Sequence, residues 1–262
     1  MKVEIYSDIA CPWCHVGKAR FERALAAFPQ ADTVEVVYRP FQLDPRAPHE
    51  PRPHRQVLEA KFGPRAAALD ERLTAVGAAE GITFDFETVV ENNTLLAHRL
   101  LRYALDTYGP QAQARLKGRL MAGHFSEGTD IGDRAQLADA AVAVGLDRDD
   151  VTAFLAGDAL HEDVLADIDH AQQLGITAVP TYVFEGQWAV QGGQEASTFL
   201  RVLEQVARET AADVPEAVVP STAGMPATAE ADTPVVDGDG CADGVCEVPA
   251  APAPAASRAT NG

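Results

Sequence analysis

The sequence predicts an α/β fold in which a β-α-β unit and a later β-β-α unit are separated by a large all-helical insertion. Three observations indicate this order. A close cysteine pair directly follows a short N-terminal strand, helical periodicity dominates from about residue 52 to 175, and a proline-led hairpin and a final helix come after it. With 262 residues, 47% of them hydrophobic, the chain is long enough for one domain with a substantial core and additional segments.

The first predicted strand and helix flank the cysteine pair. Residues 3–6 alternate apolar and polar side chains, as a half-buried strand does. The pair follows at Cys11 and Cys14, with Pro12 and Trp13 between. An amphipathic helix is predicted from Cys14 to about residue 28, with Cys11 at its N-terminal end. The apolar residues that set its spacing are Phe21, Leu25 and Phe28.

The next elements lead from a second strand into the insertion. Residues 33–38 alternate and predict a strand, and several prolines up to residue 53 mark a loop. Apolar stripes within 96–108 and 160–171 predict two of the helices that follow, with shorter helices between them.

The C-terminal unit returns to strands. Gly175 ends the last insertion helix, residues 181–190 predict a β-hairpin with Gly186 in its turn, and a final helix follows. This order is that of a thioredoxin-like fold interrupted by helices. We therefore predict three parts, namely a thioredoxin-like domain at 1–51 and 176–210, a helical insertion domain at 52–175, and a tail at 211–262.

The predicted tail differs from the rest of the chain in composition. It is rich in Ala, Pro, Val, Asp, Glu and Gly, has no aromatic residue and shows no sustained period, so it is expected to be disordered. It carries a second cysteine pair, Cys241 and Cys246, close enough in sequence to form a small disulfide or an auxiliary redox pair. Accidental placement in a linker is the alternative.

The position of Cys11 predicts redox chemistry. A thiol at a helix N-terminus faces unpaired N–H groups and the positive end of the helix dipole, so we expect a lowered pKa and a reactive thiolate. Cys14, one turn further on, is placed to resolve a mixed disulfide at Cys11. Pro12 suits the first helical turn, where an N–H would have no hydrogen-bond partner, and it stiffens the turn. We expect Pro12 and Trp13, the two residues between the cysteines, to tune the redox properties of the pair.

Three other interpretations of the pair remain open at this point. A structural disulfide across so short a loop would constrain the unfolded chain little. Because His15 follows Cys14, the motif also has the spacing of a covalent haem attachment site. A zinc half-site would need two further ligands, and we predict no metal site.

The net charge and the N-terminal sequence limit the partners and the cellular location that we expect. A net charge of −18 disfavours nucleic acid and anionic membrane surfaces. The first residues enter a strand without the pattern of a signal peptide, and no segment has the length and apolarity of a transmembrane helix. We therefore expect a cytoplasmic protein. The sequence leaves the oligomeric state unknown.

Several motifs together resemble the DsbA family of thiol-disulfide oxidoreductases, and most closely its cytoplasmic FrnE-like branch. The resemblance covers about residues 1–210, and the tail pair is similar to a second cysteine motif of some members. The segments that carry it are 11–17, 39–45, Asn93-Thr94, Ala97-His98-Arg99, 125–128 and 177–181.

This resemblance implies roles for individual residues. Cys11 corresponds to the nucleophile and Cys14 to the resolving cysteine. Val179 and Pro180 correspond to the cis-proline loop that pairs with an extended substrate peptide. His98 is interpreted as a hydrogen-bonded packing residue rather than a catalytic base.

The predicted function is thiol-disulfide exchange on proteins as oxidase, reductase or isomerase, with no bound cofactor. A thiol donor such as glutathione or a thioredoxin-type reductant would re-reduce the pair. Glutathione-dependent 2-hydroxychromene-2-carboxylate isomerases and kappa-class transferases share the scaffold and form the alternative, but they typically carry Ser at the position of Cys11.

Overall fold

The computed structural model describes residues 1–212 and 245–247. Its strands are β1 (Lys2–Ser7), β2 (Glu35–Pro40), β3 (Arg52–Pro53), β4 (Val90–Glu91), β5 (Thr181–Phe184), β6 (Trp188–Gln191) and β7 (Val245–Glu247). Its α-helices are α1 (Pro12–Ala27), α2 (His54–Phe62), α3 (Ala66–Ala79), α4 (Leu95–Tyr108), α5 (Pro110–Glu127), α6 (Arg134–Ala143), α7 (Arg148–Ala156), α8 (His161–Gln173) and α9 (Ala196–Ala212).

The main sheet confirms the predicted thioredoxin-like order. Its strands lie in the order β2-β1-β5-β6-β7, with β1 and β2 parallel and the other neighbours antiparallel. The hairpin β5–β6 turns at Glu185 and Gly186, which both have positive φ. Glu185 occupies this left-handed backbone region although it has a Cβ, whereas Gly186 meets no steric restriction there.

Two hydrophobic cores contact α1 at different positions along its length. One lies between the sheet and helices α1 and α9, and its aromatic centre consists of Phe21, Tyr182, Phe184 and Phe199. The other fills the insertion, mainly from α4, α5, α6 and α7, and it reaches Cys11 and Cys14. The cysteine pair therefore belongs to the core of the insertion although it begins a helix of the thioredoxin-like unit.

The insertion also contains a short ladder that helical periodicity does not predict. β3 pairs antiparallel with β4, and His54 at the start of α2 lies between Glu91 and Asp70, with nitrogen–oxygen distances of 2.6 and 3.2 Å. Strands of two residues show no alternation, so the sequence offers no pattern by which to find them.

The C-terminal segment carries more regular structure than its composition predicts. α9 continues two residues beyond the predicted domain end at 210, and β7 pairs with β6 so that Cys246 lies opposite Ala189. The remainder of the predicted disordered tail, including Cys241, lies outside the described residues. Among the described helices, none is long and apolar enough to cross a membrane.

Gly17 allows α1 to pack closely on the end of the sheet. A Cβ atom at this position would lie 2.6 Å from the Tyr182 hydroxyl, 3.1 Å from Pro180 Cγ and 3.2 Å from Gly193 Cα. Only a residue without a side chain leaves room for this contact, which brings the helix start, the residue 180 loop and the turn after β6 together.

We predict that Gly17→Ala destabilises the protein by about 1–3 kcal/mol, because the added methyl group overpacks this contact. Urea denaturation measures the change in the free energy of unfolding. Gly157→Ala is the matched control, since a Cβ there meets its nearest atom, the Phe154 carbonyl oxygen, at 3.8 Å. Equal stability of the two variants would contradict the close packing at Gly17.

Candidate active site

The cysteine pair lies where β1 passes into α1. Cys11 is the N-cap residue of the helix, and its Sγ accepts a hydrogen bond from the backbone N–H of Cys14, at 3.2 Å. Pro12 begins the helix, as predicted from its missing N–H. Both cysteines are free thiols and nearly inaccessible, with 4% of Cys11 and 2% of Cys14 exposed.

The residue 177–181 loop faces the pair. The Val179–Pro180 peptide bond is cis, as the family resemblance implies. The Cys11 thiol donates to the Val179 carbonyl oxygen at 3.7 Å. Pro180 is buried, Val179 and Trp13 are half-buried, and Thr177 and Ala178 are exposed. The loop therefore presents backbone polar groups directly beside the thiol.

The expected lowering of the Cys11 pKa is wrong for this closed arrangement. Burial raises the pKa of the Cys11 thiol well above its ordinary value, and the neighbouring Cys14 thiol raises it further. The N–H of Cys14 acts in the opposite direction, as a helix N-terminus should, but burial outweighs it. The sequence places Cys11 at the helix end correctly, yet it does not reveal that the insertion covers the thiol.

Asp8 and His98 form a buried polar pair next to the cysteines. Asp8, three residues before Cys11, accepts from His98 Nε2–H at 3.1 Å and from the Leu43 N–H at 2.8 Å. Burial alone would raise the pKa of Asp8, but these hydrogen bonds and the nearby Lys117 hold it below its usual range. Burial lowers the pKa of His98, so its imidazole is neutral and donates to the carboxylate.

The same network joins separate motifs of the sequence. Gln42 donates to Asn93 Oδ1 at 3.0 Å, and Asn93 in turn donates to the carbonyl oxygens of Pro45 and Ala47. The segment after β2 is therefore fixed to the start of α4, and through Leu43 to Asp8. His98 is a hydrogen-bonded packing residue, as predicted, although its partner is a carboxylate of the thioredoxin-like unit.

Two further titratable groups near the pair are not predicted from the sequence. Lys117 on α5 and His15 on α1 lie near the pair, and burial lowers their pKa values to about 8 and about 4. Lys117 shares the buried face of α5 with two other polar residues, Gln113 and His124, so the sequence pattern alone does not mark it as a buried charge. The described residues contain no group of three or more His, Cys, Asp or Glu arranged to hold a metal ion.

Comparison with known proteins identifies the family. Residues 2–204 match the model of the DSBA-like thioredoxin domain. The chain belongs to this DsbA-like family. It is 39% identical to a Streptomyces coelicolor protein, the probable DsbA oxidoreductase SCO1869, whose crystal structure superposes with a TM-score of 0.75 over 86% of this chain and 97% of that one.

More distant solved structures share the fold of this DsbA-like protein. A 2-hydroxychromene-2-carboxylate isomerase is 16% identical, with a TM-score of 0.59 over 81% of this chain and 98% of that one. The cytosolic disulfide reductase DsbM of Pseudomonas aeruginosa, solved with GSH, is 17% identical, with a TM-score of 0.53 over 79% of this chain and all of that one. At these identities the likeness concerns the fold alone. The family places the chain among oxidoreductases that act on thiols and disulfides.

We predict that Asp8→Asn destabilises the protein by about 1–3 kcal/mol at neutral pH, because an amide oxygen cannot accept from both Leu43 and His98 with a carboxylate's strength. Since folding lowers the pKa of Asp8, its contribution is present above the ordinary value of 3.8 and is lost as the pH falls through the lower folded value.

Urea denaturation at a series of pH values tests this sign. The difference between parent and Asp8→Asn should shrink in acid, and the exposed control Asp32→Asn should stay close to the parent throughout. A difference that grows towards low pH would contradict the assigned ionisation of Asp8.

Proposed function

We propose that the protein is a thiol-disulfide oxidoreductase of protein substrates, with Cys11 as nucleophile and Cys14 as resolving cysteine. The observation that carries this proposal is the position of the Cys11 Sγ, between the Cys14 N–H at the start of α1 and the Val179 carbonyl oxygen. A sulfur held there meets a donor for its thiolate form on one side and a backbone partner for a substrate chain on the other.

The proposed reaction proceeds by two exchanges. Cys11 thiolate attacks a substrate disulfide, which forms a mixed disulfide and releases the first substrate thiolate. Cys14 thiolate then attacks Cys11 Sγ, closes the Cys11–Cys14 disulfide and releases the second substrate thiolate. Two electrons pass to the substrate, and a thiol donor such as glutathione or a thioredoxin-type reductant returns them. In isomerisation the substrate's own thiol resolves the mixed disulfide instead.

Burial of Cys11 makes substrate binding part of its activation. The raised pKa leaves the closed resting site mainly as thiol. An extended peptide that pairs with the backbone at Val179 would compete with the thiol for that carbonyl oxygen. The freed sulfur would then keep the Cys14 N–H as its partner. In this proposal Pro180 fixes the direction of the Val179 carbonyl, and Trp13 provides an apolar surface beside the cysteine pair.

We also propose that the exchange occurs in the cytoplasm, in the reducing direction. The cytosolic location named for DsbM and its crystallisation with GSH support this assignment by likeness of fold. The cytosolic glutathione pool would hold most of the pair as dithiol.

An isomerase of small molecules is the second candidate. The likeness to 2-hydroxychromene-2-carboxylate isomerase favours it, because a similar scaffold supports that activity in another protein. The second buried thiol, Cys14, has no part in such a reaction. Conversion of a 2-hydroxychromene-2-carboxylate with glutathione that survives Cys14→Ser would favour the isomerase.

We predict that Cys11→Ser reduces the rate of insulin disulfide reduction to that of the thiol donor alone, since the attacking sulfur is lost. Cys14→Ser should still attack but accumulate mixed disulfides with insulin chains, visible on non-reducing gels. Both variants should keep the parent's thermal midpoint within a few degrees. Full insulin reduction by folded Cys11→Ser would contradict the assignment of the nucleophile.

The tail cysteines are proposed as an auxiliary pair that exchanges with the active site. β7 begins at Val245, which lies opposite Val190 near the C-terminal end of β6. Just after that end, Gly193 packs close to the backbone of Trp13. Val245, the first residue of β7, therefore lies at the same end of the sheet as the candidate site. Cys241 is four residues away, a reach of about 13 Å in extended chain.

We predict that the full-length Cys241→Ser/Cys246→Ser variant attacks a model disulfide at the parent's rate in a single turnover but recycles with glutathione at a different rate. Truncation after residue 212 should give a folded domain with the same change, because both remove the tethered pair. If both variants recycle like the parent, the tail cysteines have no part in exchange.

A further inference from the structure

β2 is an edge strand of the main sheet. Among the described residues it pairs only with β1, in parallel. Glu35 donates its N–H to the Met1 carbonyl oxygen, so its backbone faces β1. Because backbone groups alternate along a strand, Val36 and Tyr38 turn their N–H and C=O groups away from the sheet. An edge with such outward groups can pair with a further strand.

A side chain of α5 occupies one of these two outward positions. Gln113 is buried, its Oε1 accepts from the Tyr38 N–H, and its Nε2 donates to the Tyr38 carbonyl oxygen, both at 2.9 Å. The amide thus pairs with the strand as a neighbouring peptide would. Within the described part of the chain, no such partner reaches the backbone of Val36. The open position of the β2 edge is therefore Val36.

This open position borders a groove of about 510 Å³ between β2, α1 and the start of α5. Four half-buried side chains, those of Leu25, Val34, Val36 and Ala114, give the groove its apolar lining. The volume lies within the range of pockets that bind ligands. An extended peptide in the groove would find backbone partners at Val36 and apolar surface for its side chains.

The charged side chains of the groove are acidic. Of the described residues that line it, Glu22, Asp32 and Glu35 carry a negative charge and none is Lys, Arg or His. Glu22 forms an ion pair with Lys18, whereas Asp32 and Glu35 are exposed and have no ion-pair partner among the described residues. These two carboxylates favour a segment that carries Lys or Arg.

The same charge argues against the chain itself as the occupant of the groove. The whole chain has a net charge of −18, and residues 213–262 contain eight acidic residues and one basic residue. A second copy, or the chain's own C-terminal segment, would bring further negative charge to Asp32 and Glu35. An extended basic segment of another protein complements the groove in both charge and backbone pairing.

We propose that this groove docks an extended basic segment of a protein substrate, which adds a strand beside β2. The segment pairs with the N–H and C=O of Val36, and a Lys or Arg of the segment lies against Asp32 and Glu35. Val36 pairs with Val3, four residues before β1 ends at Ser7, so docking occurs about 13 Å from the sheet end that leads to the cysteines. Docking itself needs no thiol, and its use in substrate recruitment rests on the proposed thiol-disulfide function.

A peptide without cysteine tests docking separately from thiol chemistry. The probe is a fluorescein-labelled peptide of alternating valine and threonine with lysines at both ends, and its twin carries glutamates in place of the lysines. Fluorescence anisotropy with the full-length protein should show saturable binding of the lysine peptide that weakens with added salt, and about tenfold weaker binding of the glutamate peptide. Equal binding of the two peptides, or binding of neither, would overturn the proposal.

Substitutions distinguish the groove from the general negative charge of the protein. Val36→Pro removes the N–H that would donate to the peptide and should weaken binding about fivefold, the usual effect of one hydrogen bond. Asp32→Asn/Glu35→Gln should also weaken binding about fivefold. The matched control Glu71→Gln/Asp169→Asn removes two exposed charges elsewhere and should bind like the parent. Equal effects of the two double variants would place the peptide outside the groove and overturn the proposal.

Nuclear magnetic resonance on the unsubstituted protein covers the case in which Val36→Pro fails to fold. The lysine peptide, with a nitroxide at its centre, should broaden the amide signals of Val36 and Ala114 most strongly. Strongest broadening in the residue 177–181 loop would overturn the proposal, because the peptide would then bind at the candidate active site. Broadening at Val36 that grows with protein concentration in the absence of peptide would also overturn it, since the occupant would then be a second copy of the chain.

Discussion

Burial of two thiols in the hydrophobic core of the helical insertion is the constraint on which the rest of this structure depends. A thiol becomes reactive by losing a proton, and burial opposes that loss. The fold places hydrogen-bonding and charged groups at fixed positions around the pair. These are the N–H of Cys14 and the carbonyl of Val179 for one sulfur, and the ionised Asp8 and the buried Lys117 for the site as a whole.

The helical insertion contributes residues to the candidate active site and also covers it. α4 supplies His98 to hold Asp8, and α5 supplies Lys117, while the insertion core encloses Cys11 and Cys14. The thioredoxin-like unit contributes the helix end, the residue 177–181 loop and the close contact at Gly17. Neither part holds the cysteines in this environment alone, so changes in the insertion should alter redox behaviour without touching the cysteine motif.

Local patterns in the sequence were enough to predict the elements that carry the chemistry. Alternation at 3–6 and 181–190, helical spacing after Cys14, and Pro12 after Cys11 correspond to β1, the β5–β6 hairpin and α1. The ladder β3–β4, strand β7 and the raised Cys11 pKa were not predicted. Each depends on contacts between residues far apart in sequence, which periodicity and spacing do not encode.

We propose that Cys11 and Cys14 act as one reversible two-electron redox pair. The most direct measurement is equilibration of the full-length protein with glutathione buffers of varied ratio, followed by acid quenching, alkylation and peptide mass analysis. We expect one transition, with Cys11 and Cys14 linked to each other in the oxidised form and both alkylated in the reduced form. A lasting glutathione adduct at Cys11 with Cys14 still free, or two thiols that never join, would contradict it.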